Sequence, residues 1–194
     1  MSKPELIKWS GWAFITGSFA FVTILSGSDP IAIPGAEVSA ILLAVGLLGL
    51  RARYGEQVGG FGRNSLLLGA SGPILLVIVI AMGLSGLLTE TQITKGLWVL
   101  LFGGPAISLL GLTLFGVAAL RSKPMPRFNW LPLFAGIWYP VTYVLFSVYD
   151  ISREGVFPDQ YLPELVLMVV IQFLALCLLG FLLVIDSPKE MATT

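Results

Sequence analysis

Long uncharged apolar runs, separated by short polar stretches, set the pattern of this chain. Six segments qualify, at about 7–27, 33–50, 65–88, 96–120, 129–149 and 163–185. Each is near the roughly 20 residues that carry a helix across a hydrocarbon core of about 30 Å. The third, fourth and sixth hold more than 20 residues without a charge; the second carries Pro34 and Glu37 in its first turns and is the weakest. Lys3 and Lys8 ahead of the first run imitate a secretory signal, but the run is long and "GSDPIAIPGAE" offers no small-residue cleavage site, so it is read as a helix. The pattern predicts an all-α integral membrane bundle of six transmembrane helices, a single domain over 1–194.

The basic residues orient that expectation. Lys3, Lys8, Arg51, Arg53, Arg63, Arg121, Lys123, Arg127 and Lys189 would fall on one side of the bilayer, and only Lys95 and Arg153 on the other. Lysine and arginine accumulate on the cytoplasmic side, which predicts a multi-pass protein of the cell membrane with both termini inside. Arg51, Arg53, Arg63, Arg121, Lys123 and Arg127 are then read as topology determinants that touch anionic headgroups.

Composition agrees with this picture and narrows the chemistry. Hydrophobic residues make up 56% and charged residues 11% of the 194 positions, and the mean hydropathy of +0.92 is far from that of ordinary soluble chains. The formal net charge is zero, so no long-range field points to nucleic acid. Cys177 is the only cysteine and there is no histidine. An internal disulfide, the usual zinc sites and a histidine general base are therefore unavailable. No cofactor, metal or catalytic constellation is expected.

Three motifs stand out against that background. "GEQVGGFG", at 55–62, has the glycine spacing of a phosphate-binding loop, but Phe61 stands where the lysine belongs. Leu50-Arg51-x-Arg53 aligns with Leu120-Arg121-x-Lys123, and Gly69-x-x-x-Pro73 with Gly136-x-x-x-Pro140, suggesting a hairpin repeat of 37–88 and 107–149. Gly69-Ala70-Ser71-Gly72 and Gly83-Leu84-Ser85-Gly86 resemble the G-x-S-G nucleophile motif of rhomboid intramembrane proteases, which also have a six-helix core. That resemblance implies a serine activated by histidine, and this chain has none, so Ser71 and Ser85 are read as packing residues with back-bonded hydroxyls. More broadly the chain resembles small polytopic prokaryotic membrane proteins of unassigned function whose helices end in "GL-x-[AR]-R" turns, a likeness of composition that implies no activity.

The remaining polarity inside the apolar runs supplies the candidate sites. Pro73, Pro105 and Pro140, each with glycine nearby, are candidate helix breaks or kinks. Gly104, Ser108 and Gly111, and Ala81 and Ser85, recur at helical spacing as packing seams. Trp9, Trp12, Tyr54, Trp98 and Tyr161 fit interfacial aromatic belts. Trp138, Tyr139, Thr142, Tyr143 and Gln172 form a candidate intramembrane polar or ligand site, in which Tyr143 and Gln172 meet at one depth. The expected role is non-enzymatic: a binding or assembly component of a membrane complex, or a binder of a hydrophobic small molecule. Its partners would be the lipid bilayer and proteins of that complex. A small transporter or channel subunit is the alternative.

Overall fold

A computed structural model of the chain describes residues 3–22, 29–87, 89–125, 128–137 and 162–185. The described residues form helices α1 (Lys3–Val22), α2 (Asp29–Tyr54), α3 (Gly59–Leu84), α4 (Glu90–Ser122), α5 (131–137) and α6 (Leu162–Ile185). Helices α1 to α4 begin ahead of their apolar runs, and α2 and α4 end beyond theirs, because the backbone ladder continues through polar residues that hydropathy excludes. Thus α2 starts at Asp29, ahead of Pro30, a residue the first helical turn tolerates because its N–H would have no acceptor there. At the other end of the second hairpin, Lys123 takes a left-handed φ of 51° and its N–H caps the Ala119 carbonyl, stopping α4.

The integral membrane bundle does not stand. Among the described residues, no helix is long and apolar enough to cross a membrane. That corrects the six-transmembrane fold, the multi-pass assignment and the placement in the cell membrane with both termini inside. Charged residues fall within these helices: Glu5 and Lys8 in α1, Arg51 and Arg53 in α2, Arg63 in α3 and Arg121 in α4.

Neighbouring helices pack antiparallel, and small residues mark each seam. Gly49 of α2 lies on Ser10 of α1, and Gly46 lies on Phe14. On the other side of α1, a β-carbon at Gly11 would meet the Gly180 carbonyl of α6 at 2.6 Å, and one at Gly180 would meet the Gly11 carbonyl at 2.7 Å. Phe19 and Phe173 close the far end of that seam edge to face, with centroids 4.9 Å apart. Gly62, Gly69 and Gly72 of α3 meet Ala118, Gly111, Ser108 and Gly104 of α4, while Gly116 and Gly136 bring α4 against α5. Helix α2 touches α1, α3, α4 and α6.

One apolar core runs through these layers, from Ile7 and Phe14 through Leu47, Leu50, Leu66, Leu112 and Phe115 to Leu131, Leu179 and Leu183. Tyr54 belongs to it, with 2% of its surface exposed. The expectation of an interfacial Tyr54 is therefore wrong: in the last turn of α2 its side chain is buried in the core. Trp9 and Trp12 do face outward, whereas the side chain of Trp98, and Tyr161 altogether, lie outside the described residues.

Candidate functional site

Alternation of direction brings one set of helix ends together: the start of α1, the end of α2, the start of α3 and the end of α4. The described basic side chains of Lys8, Arg51, Arg53, Arg63, Arg121 and Lys123 sit at that end. Arg51, Arg53 and Arg121 occupy last helical turns, where the backbone carbonyls favour a cation. Arg127 lies outside the described residues.

The turn between α2 and α3 is the densest part of this cluster. Gly55 N–H donates to the Arg51 carbonyl at 2.9 Å, and Gln57 and Val58 N–H groups both donate to the Tyr54 carbonyl. Gly59, at φ 71°, then reverses the chain into α3. Both Arg51 and Arg53 are half-buried, and the Nε of each is enclosed with no hydrogen-bond acceptor. A buried donor left unpaired costs about 1–3 kcal/mol, more when charged. The Arg53 guanidinium carbon stands 5.7 Å from the Tyr54 ring centroid, a cation–π contact that offsets part of this cost. Arg63 is exposed, with its stem laid over Gly55.

The second arrangement joins two of the features read from sequence. Helix α3 runs unbroken through Pro73, which is buried, and α4 runs unbroken through position 105, so neither position is a break. Pro73 has no N–H for the Gly69 carbonyl four residues back. The Ser108 hydroxyl of α4 donates to that carbonyl at 2.9 Å, with the Gly104 carbonyl of its own helix at 3.1 Å. Gly136, the counterpart of Gly69 in the hairpin comparison, also faces α4, beside the Thr113 hydroxyl. The two turns differ in burial: Leu50 is 1% and Leu120 is 42% exposed.

Other candidates separate from one another. Gln172 is buried in α6, while Trp138, Tyr139, Pro140, Thr142 and Tyr143 lie outside the described residues. The Ser71 and Ser85 hydroxyls donate to the Leu68 and Met82 carbonyls at 2.7 and 2.9 Å, the back-bonded state expected of packing serines. Ser85 and Ala81 are exposed and make no seam. Among the described residues no group of three or more cysteine, aspartate or glutamate side chains could hold a metal ion.

Sequence reading missed several features. Asn129 ties the α4–α5 connection by accepting from Met125 N–H at 2.9 Å and donating to the Met125 carbonyl at 2.7 Å; its place four residues after Met125 in a polar, proline-containing stretch was the available signal. Ser18 approaches Cys177 across the α1–α6 seam. Burial pushes the Cys177 thiol above its ordinary range, and the Ser18 hydrogen bond lowers it in part. A shallow groove of about 240 Å³ opens between α3 and α4, lined by Phe61, Asn64, Ser65, Leu68 and Leu114.

Compared with known proteins, the chain matches no family model, no curated protein and no solved structure.

Proposed function

We propose that the protein is a non-enzymatic binding component whose outward faces are covered by an apolar partner. The observation that carries this reading is the distribution of large apolar side chains around the helices. Leu48 of α2 is 40% exposed while its neighbour Leu47 is buried; the exposed Leu67 and Leu68 follow the buried Leu66. Ile74 and Ile78 continue the exposed set along α3, and Phe19, Leu110, Leu174 and Phe181 extend it over α1, α4 and α6. A helix that is hydrophobic all round is stable when both sides are covered, and exposed patches of this extent mark interaction surfaces. The basic end of the bundle limits where an apolar partner can sit.

The test is purification of the full chain in a mild non-ionic detergent, followed by cross-linking and by mass spectrometry of retained lipids and proteins. Single cysteines placed at Leu68, Ile78 and Leu174 in a Cys177→Ser background should be shielded from a polar thiol reagent in the native extract. A chain that is monodisperse in plain aqueous buffer, with those positions freely labelled and nothing bound, would show the reading to be wrong.

A further inference from the structure

One hydroxyl of α4 stands between two carbonyls at the level where α3 carries Pro73. Ser108 Oγ is 2.9 Å from the Gly69 carbonyl of α3 and 3.1 Å from the Gly104 carbonyl of its own helix. A serine hydroxyl has a single proton to donate. The two acceptors are not equivalent: along the continuous α4 ladder the Gly104 carbonyl faces the Ser108 N–H, whereas the Gly69 carbonyl has lost its amide donor to Pro73. The direction of the proton therefore matters to α3 and little to α4. The facing helix has the same defect at the same level. Pro105 has no N–H for the Leu101 carbonyl, and its neighbour Gly104 lies backbone to backbone on Gly72, with Pro73 N 4.0 Å from where a Gly104 β-carbon would stand. Beyond this level a tight turn ties the two helices into one arm. In it the Ser85 and Leu87 N–H groups donate to the Ala81 and Met82 carbonyls, and Gly86 takes φ 74°.

We propose that the turns 69–73 and 104–108 form a paired hinge and that the Ser108 proton is its latch. Given to the Gly69 carbonyl, the proton replaces the bond that proline removes and holds α3 straight. Turned to the Gly104 carbonyl, it leaves the Gly69 carbonyl free to tilt away from the Pro73 ring, the movement by which proline kinks a helix. One hydrogen bond is exchanged for another, so the two arrangements lie close in free energy and both are populated. The hinge is internal to the α3–α4 hairpin and independent of the apolar cover proposed above.

The experiment uses the full chain in non-ionic detergent, with nitroxide labels at Val38→Cys of α2 and Met82→Cys of α3 in a Cys177→Ser background; both positions are exposed. Double electron–electron resonance should show a major distance and a second, minor one. Ser108→Ala removes the latch and should raise the minor fraction relative to the major by about two- to tenfold, the equilibrium factor of one net hydrogen bond. Pro73→Ala restores an amide donor to the Gly69 carbonyl and should leave a single distance, with or without the Ser108 hydroxyl. Pro73→Ala adds a backbone bond to α3, so it reports on the hinge even where Ser108→Ala impairs folding. No rise of a second distance in Ser108→Ala, the same rise in the Pro73→Ala background, or a second distance that persists in Pro73→Ala, overturns the proposal.

Discussion

The Ser108 hydroxyl donates to the Gly69 carbonyl across the α3–α4 seam at 2.9 Å, and that carbonyl is the acceptor that Pro73 leaves without an amide donor. A proline inside α3 is thereby tolerated because the neighbouring helix supplies the missing hydrogen bond. Removing the hydroxyl by Ser108→Ala should destabilise the protein by about 1–2 kcal/mol, the cost of leaving a buried acceptor unpaired. In a Pro73→Ala background, where residue 73 regains an N–H for Gly69, the same change should cost less. Denaturant unfolding of the four proteins forms the cycle, and strict additivity would sink this account.

The same seam predicts an asymmetry between two facing glycines. A β-carbon at Gly72 would enter the Gly104 carbonyl, whereas one at Gly104 would stand 3.4 Å from the Gly72 carbonyl, an ordinary contact. Gly72→Ala should therefore cost about 1–3 kcal/mol through forced separation of the backbones. Gly104→Ala should be near neutral or stabilising by up to about 1 kcal/mol, because alanine is the better helix former. Thermal unfolding of the two variants decides it, and equal effects would contradict the packing described.

Cys177 supplies a pH prediction. Burial raises its thiol above the ordinary cysteine value of roughly 8.5, so the folded state holds the proton more tightly than the unfolded chain. The linked stability is fully present below the unfolded pKa and is lost as pH rises through the folded one. Native Cys177 should react with iodoacetamide more slowly than a free thiol at the same mildly alkaline pH. Cys177→Ala should flatten part of the stability decline in the alkaline range, and identical alkaline profiles for the two proteins would refute the linkage.

Asn129 closes the α4–α5 connection with two bonds to one residue, so its replacements can be ranked. Asn129→Ala loses both and should cost about 1–2 kcal/mol; Asn129→Asp keeps the acceptor for Met125 N–H and should cost less. Hydrogen exchange at the Met125 amide provides the readout: fast exchange in Asn129→Ala and retained protection in Asn129→Asp.

What the sequence determined by itself is the helical character of the chain and the chemistry it lacks. Uninterrupted apolar runs with scattered glycine predict helices, and the absence of histidine removes the rhomboid-type dyad whatever the packing. The same apolar runs could not settle the environment. The integral membrane bundle they suggest is overturned, because among the described residues no helix is long and apolar enough to cross a membrane. Tertiary structure alone decided which face of each helix is inside, because helices that are apolar all round have no polar stripe to mark the outer face. Hydropathy treats Leu47 and Leu48 alike, and it places Tyr54 at a surface; in the fold Leu47 is buried against Gly69, Tyr54 is buried in the core, and Leu48 is left outside. The Ser108–Gly69 bond was out of reach for the same reason. Its two ends are 39 residues apart, and nothing local couples a proline on one helix to a hydroxyl on the next until small residues let the two backbones meet.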